Sequence, residues 1–126
     1  MRSMCKRVMT TARVVLFTIL FMPQALFAQT FMGGNELYNA LVDYERTPST
    51  NVVIASTGFG YVVGVADAGN NVRHPLTGFH FCIPLGVTKG QIVDVARLYL
   101  ERNPKVRHLT AHSILGAAFA EAFPCR

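Results

Sequence analysis

From Gly33 onward the chain sets apolar residues at helical spacing between polar and proline-containing breaks. Leu37, Tyr38, Leu41 and Tyr44 recur at intervals of three and four, which puts them on one helix face. Gly33-Gly34-Asn35 opens that segment. Asn35 can cap it, and Glu36 falls in the first turn, where the helix dipole favours an acid. Arg46-Thr47-Pro48 closes it, because the residue before a proline resists the helical region. Thr88 to Asn103 gives the clearest helix. Thr88 and Gln91 have capping-box spacing, and Ile92, Val95, Ala96, Tyr99 and Leu100 make one apolar stripe. Asn103-Pro104 stops this helix and starts another, with Asn103 as cap and Pro104 at the first helical position. The second stripe is Ala111, Ile114, Leu115, Ala118, Phe119 and Ala122. So short a turn predicts an antiparallel helical hairpin.

Ser49 to Ala68 is ambiguous by pattern. Val52, Val53, Ile54, Tyr61, Val62, Val63 and Val65 favour strand by propensity, yet the apolar run is nearly continuous and does not choose between the two periods. Gly58, Gly60 and Gly64 suit strand bends. On a helix, Gly60 and Gly64 would instead form a smooth stripe for close packing against a neighbour. Gly69 to Gly86, with Gly69-Asn70-Asn71, His74-Pro75, Gly78 and Pro84, reads as a loop longer than most connections.

The first residues have a different logic. Arg2, Lys6, Arg7 and Arg13 precede a short apolar run, Val14 to Met22, then Pro23 and Gln24-Ala25-Leu26-Phe27-Ala28. That is the order of a secretory signal, and the run is far short of the ~20 residues that span a bilayer. Cleavage after Ala28 divides the chain into a signal peptide, residues 1–28, and one domain, residues 29–126. A retained anchor is the alternative. Cys5 lies in the basic head and is not placed for lipid attachment. The formal charge of +5 belongs mainly to the signal, since removing it leaves eight basic residues against seven acidic ones. Bulk charge therefore gives no ground for nucleic-acid binding.

About a hundred residues make one domain with a modest core, for which a covalent staple is useful. Cys82 and Cys125 remain after cleavage, before the first and after the second helix of the expected hairpin. A disulfide between them would close a loop of about 43 residues, worth on the order of 3–4 kcal/mol. Two separate buried thiols are the alternative reading.

Catalytic chemistry finds little support. His108 and His112, four apart, supply half of a zinc site with no evident third ligand nearby; His74 and His80 could converge from the loop. No metal site is expected. A disulfide removes the thiolate that nucleophilic catalysis needs, and no serine sits in a Gly-x-Ser-x-Gly elbow. Asp67, beside the apolar segment, would cap a helix or pair with Arg97 or Arg107. Arg97, Arg102, Lys105 and Arg107 make a small basic patch around the hairpin turn, either a solvated tip or a contact for an acidic partner. The balance favours a protein that works by binding.

Three stretches carry a family resemblance: Gly34-Asn35-Glu36-Leu37-Tyr38, then Gly60-Tyr61-Val62-Val63-Gly64-Val65-Ala66-Asp67-Ala68, and the block from Phe81-Cys82-Ile83-Pro84 through Tyr99–Pro104 and Arg107-His108 to Phe123-Pro124-Cys125. They resemble the small periplasmic immunity proteins that protect bacteria against peptidoglycan amidases delivered by type VI secretion. The resemblance implies an all-α fold, a bundle of about four helices whose C-terminal hairpin is closed by a Cys82–Cys125 disulfide, with residues 60–68 on a central helix. It also implies a periplasmic, non-enzymatic protein without cofactor, nucleic-acid partner or membrane attachment after cleavage, often a homodimer, that occludes a cognate amidase. Related sequences commonly carry a further cysteine pair, and here its positions fall on Leu41 and Gly58. Candidate partner contacts are Arg102, Lys105 and Arg107 at the turn and His74 and His80 in the loop. The competing reading is a stand-alone periplasmic accessory or structural protein with no toxin partner.

Overall fold

A computed structural model describes residues 32–75 and 77–126; the expected signal peptide and its cleavage site lie outside them. Among the described residues there are four α-helices and no extended strand: α1 (Gly34–Glu45), α2 (Val52–Gly69), α3 (Lys89–Arg102) and α4 (Ala111–Ala122). A 3-10 turn, Pro104–Val106, follows α3. The expected all-α architecture is present.

α1 starts two residues earlier than the sequence reading placed it. Gly33, not Asn35, is its N-cap, without a side-chain bond, and Glu36 lies in the first turn. The reason is tertiary. Gly34 N donates to Leu109 O and Ala111 N donates to Met32 O, so the entering backbone is bonded to the segment before α4 and needs no side-chain cap. α1 ends at Glu45, before a cis Thr47–Pro48 peptide.

α2 resolves the ambiguous segment as helix, as the family resemblance implied. Asn51 caps it, its Oδ1 accepting from Ile54 N at 3.1 Å. Only Ala55, Gly58, Val62 and Ala66 are buried along it, a repeat of three and four that faces the other helices. Gly58 makes the close approach: a Cβ there would lie 2.6 Å from the Cβ of Ala40. Gly60 and Gly64 do not pack inside the chain, because a Cβ on either meets nothing within 4 Å. They lie well around the helix from Gly58 at 3.6 residues per turn.

α3 has the predicted capping box, with Thr88 Oγ1 accepting from Gln91 N and Gln91 Oε1 accepting from Thr88 N at 2.8 Å. Ile92, Val93, Ala96 and Leu100 are its buried face. The next helix begins later than expected. Pro104 opens only the 3-10 turn, and α4 starts at Ala111 after Thr110. Leu109 and Ala111 are drawn into the bonds with Gly34 and Met32, and this interrupts the helical ladder between Val106 and Ala111. Consequently His108 lies outside α4 and does not share a helix face with His112.

The core is formed by Leu37, Leu41, Val62, Leu100, Leu115 and Phe119, all fully buried, with Phe81 from the loop closing it. The Phe81 and Phe119 rings meet edge-on at 5.2 Å. The loop after α2 is therefore folded onto the bundle. Asn71 N donates to Phe81 O, His74 N donates to Phe79 O, and Phe79 lies against Gly116, where a Cβ would come within 2.7 Å of its ring.

Candidate functional site

The Cys82–Cys125 disulfide closes the open end of the α3–α4 hairpin, with Cα atoms 4.9 Å apart. Backbone contacts hold the same place: Cys82 N donates to Phe123 O at 2.9 Å, and Phe81 bridges Pro124 on one side and Asn70 on the other. His80 joins this end, with its ring nitrogen and the two sulfurs all within 4.8 Å of one another. His74 goes elsewhere. Its ring lies 5.9 Å from that of His112, and its Nδ1 accepts from Thr77 N at 3.2 Å. The two loop histidines therefore do not converge. His74 and His112 border a mainly apolar recess of about 220 Å³ with Val65, Val72, Phe79 and Phe81. That is below the roughly 300–1,000 Å³ of small-molecule sites. It has the dimensions of a side-chain recess.

The basic residues of the turn divide in two. Arg102 and Lys105 are exposed. Arg107 is half-buried and turned inward: its Nε donates to Leu100 O at 2.8 Å, its Nη2 donates to Glu101 O at 3.4 Å, and its guanidinium lies 3.5 Å over the Tyr38 ring. It caps the end of α3, whose last carbonyls have no partner within the helix. Arg97 sits between Glu45 and Glu101. Asp67 is exposed and pairs with neither Arg97 nor Arg107; both arginines are engaged by α1 and α3 instead.

The acid that the fold uses is Asp43, which sequence reasoning passed over. Its carboxylate accepts from Ser49 Oγ at 2.8 Å, Thr50 N at 3.0 Å, Asn51 N at 2.9 Å and the Thr50 hydroxyl. The Thr50 and Ser49 hydroxyls, then the Asn51 amide, hold this carboxyl far below its usual range against the opposing effect of burial. There was a signal. An acid in the last turn of a helix faces the unfavourable end of the dipole, so it must find donors elsewhere. Here they are the first residues leading into α2.

Among the described residues, the outer face of α2 is an apolar surface without a partner. Val52 and Val53 are 69% and 73% exposed, and Ile54 is 48% exposed. Ser56, Thr57, Gly60, Gly64, Asp67 and Ala68 continue the face toward the far end. The helix has a mean hydropathy of 1.4, yet only 22% of it is buried. Its length and composition suffice to cross a membrane, while its inner face is packed in the bundle. An apolar helix of a monomer normally buries more of itself, so this face has the character of an interaction surface.

A family model described as Rap1a immunity proteins matches residues 33–125, which includes all four described helices, the loop and both cysteines of the disulfide. No curated protein matches the chain.

Proposed function

The chain belongs to the Rap1a immunity proteins, and from that membership we propose that it is exported to the periplasm and there binds and occludes a peptidoglycan amidase delivered by type VI secretion. The match across residues 33–125 carries this reading, since it covers all four described helices. A toxin-immunity role works by association, and the protein has no catalytic activity of its own under this proposal. An inhibitor of a concave active site needs a protruding element with anchors at its centre. Arg102 and Lys105 stand exposed at the turn between α3 and α4, where positive charge would speed encounter and set register with an acidic rim. Arg107 would support that tip from inside by tying it to Leu100 and Tyr38. The outer face of α2, apolar and flanked by Gly60 and Gly64, would seat a second copy of the chain and leave the tip free for the toxin.

The test is affinity capture from the periplasm of the producing bacterium, using the full chain with a C-terminal tag. Equimolar recovery of a peptidoglycan amidase whose hydrolysis stops on binding is the expected result. Recovery of no amidase would instead favour an accessory role in the envelope.

A further inference from the structure

The disulfide end holds one more donor than a covalent staple needs. The His80 ring nitrogen and the sulfurs of Cys82 and Cys125 lie within 4.8 Å of one another. In a tetrahedral zinc shell, with Zn–S about 2.3 Å and Zn–N about 2.0–2.1 Å, neighbouring donors stand roughly 3.5–3.8 Å apart. Once the Cys82–Cys125 bond is opened the two sulfurs move apart toward that spacing, and rotation of the His80 side chain brings its nitrogen in to match. Among the described residues no hydrogen bond engages the His80 ring. All three residues are half-buried, so the site is neither sealed from an ion nor fully hydrated. A shallow cavity of about 420 Å³, bounded by Cys82, Phe123, Pro124 and Arg126, opens to solvent beside Cys82.

The convergence does not depend on the S–S bond alone. Cys82 N donates to Phe123 O at 2.9 Å, Ile83 N donates to Asn70 Oδ1 at 2.9 Å, and Asn71 N donates to Phe81 O at 2.8 Å. Phe81 between them is 4% exposed and packed on Phe119. Opening the disulfide therefore frees the sulfurs while the backbone on both sides stays fastened.

We propose that the reduced chain binds one Zn2+ through His80, Cys82 and Cys125, with water as fourth ligand, and that re-formation of the disulfide expels it. A dithiol reductant supplies the two electrons and two protons: its own sulfurs pair while the Cys82–Cys125 bond opens to two thiols. Zn2+ displaces both thiol protons to the medium, and neutral His80 gives a ring lone pair. In the reverse direction the two thiolates pass two electrons to a disulfide oxidant, whose sulfurs leave as thiolates, and the ion departs. The hairpin end is thus closed by a metal in reducing surroundings and by a covalent bond in oxidising ones.

Cobalt tests this directly. The full chain is reduced with dithiothreitol, freed of it anaerobically, and titrated with Co2+. The expected result is one Co2+ per reduced chain, with thiolate-to-cobalt charge-transfer absorption and tetrahedral ligand-field bands, displaced by one equivalent of Zn2+. The oxidised chain shows neither. His80→Ala should weaken Co2+ binding by at least about tenfold, the loss that even the outer-sphere partner of a ligand causes. Thermal unfolding of the oxidised His80→Ala chain checks that it still folds; His80→Phe, which keeps the ring's bulk, replaces it if it does not. A reduced chain without charge-transfer absorption overturns the proposal. So does a His80 variant that titrates like the parent.

Discussion

Asp43 shows how one side chain can join two helices. It sits in the last turn of α1, and its oxygens collect the Ser49 and Thr50 hydroxyls and the Thr50 and Asn51 amides just before α2. Those donors hold its native pKa far below that of an unfolded aspartate, about 3.9. The sign follows from linkage. A group with a depressed native pKa contributes stability that is present above its unfolded pKa and lost as pH falls toward its native one. Stability of the parent should therefore decline as pH falls below about 4, and Asp43→Asn should lower the melting temperature at neutral pH and flatten that acid-side decline. Thermal unfolding from neutral pH to pH 2 measures both; a variant with the parent's acid slope would remove Asp43 from this role. The sequence pattern marked Asp43 only as an acid at the unfavourable end of a helix, and its partners were not legible because they lie six to eight residues away across a break in the helix. Arg107 was hidden in a similar way. It reads as one charge in a basic tip, whereas its guanidinium serves the end of α3.

At the scale of elements, legibility followed the locality of the cause. α3 was readable almost to the residue because its start is written in Thr88 and Gln91 and its buried stripe in Ile92, Ala96 and Leu100. The beginnings of α1 and α4 were misplaced, since each is set by backbone bonds between segments about 75 residues apart in sequence, as in Gly34 to Leu109. The type of α2 was not decided by its own residues, as strand-favouring valines and an unbroken apolar run fit either state. The close packing of α2 also lay on an unexpected glycine. A Cβ on Gly58 would stand 2.6 Å from the Cβ of Ala40 and 3.6 Å from Leu41 Cδ2. Leu41 and Gly58, the positions of the absent cysteine pair, are thus neighbours, with buried leucine filling the space. Gly58→Ala should destabilise the chain by about 1–3 kcal/mol, the usual cost of overpacking, even though alanine is the better helix former. Removing the inward arginine, in Arg107→Met, should cost about 1.5–3 kcal/mol, because charged hydrogen bonds to two carbonyls are lost. Urea unfolding of the oxidised chain measures both effects.

For the molecule as a whole, the balance between fold and surface identifies where association should occur. The bundle buries one face of α2 and leaves Val52 and Val53 largely open. Opening the Cys82–Cys125 bond in metal-free buffer should lower stability by on the order of 3–4 kcal/mol, since a loop of about 43 residues is released in the unfolded chain. Urea midpoints with and without dithiothreitol, in the presence of a chelator, measure that loss. Gly60 and Gly64 pose the sharper question. Each lies inside a helix, where glycine costs roughly 0.5–1 kcal/mol relative to alanine, and neither is needed for packing within the chain, because a Cβ on either meets open space. Their cost has no return in the isolated fold. If the α2 face seats a second copy, the return is the close approach of a neighbouring helix across that bare surface. Gly60→Ala and Gly64→Ala should then act oppositely on two observables. Each should raise the unfolding free energy of the monomer at low concentration by up to about 1 kcal/mol. Together they should shift the chain toward monomer in sedimentation equilibrium, because the added methyl groups hold the facing helix away. Val53→Lys should produce the same shift with stability changed by no more than about 0.5 kcal/mol, as its side chain is solvent-facing. Variants that gain stability while associating like the parent would leave the face exposed for some other contact, and capture of the toxin by the same variants would show whether that contact is with it.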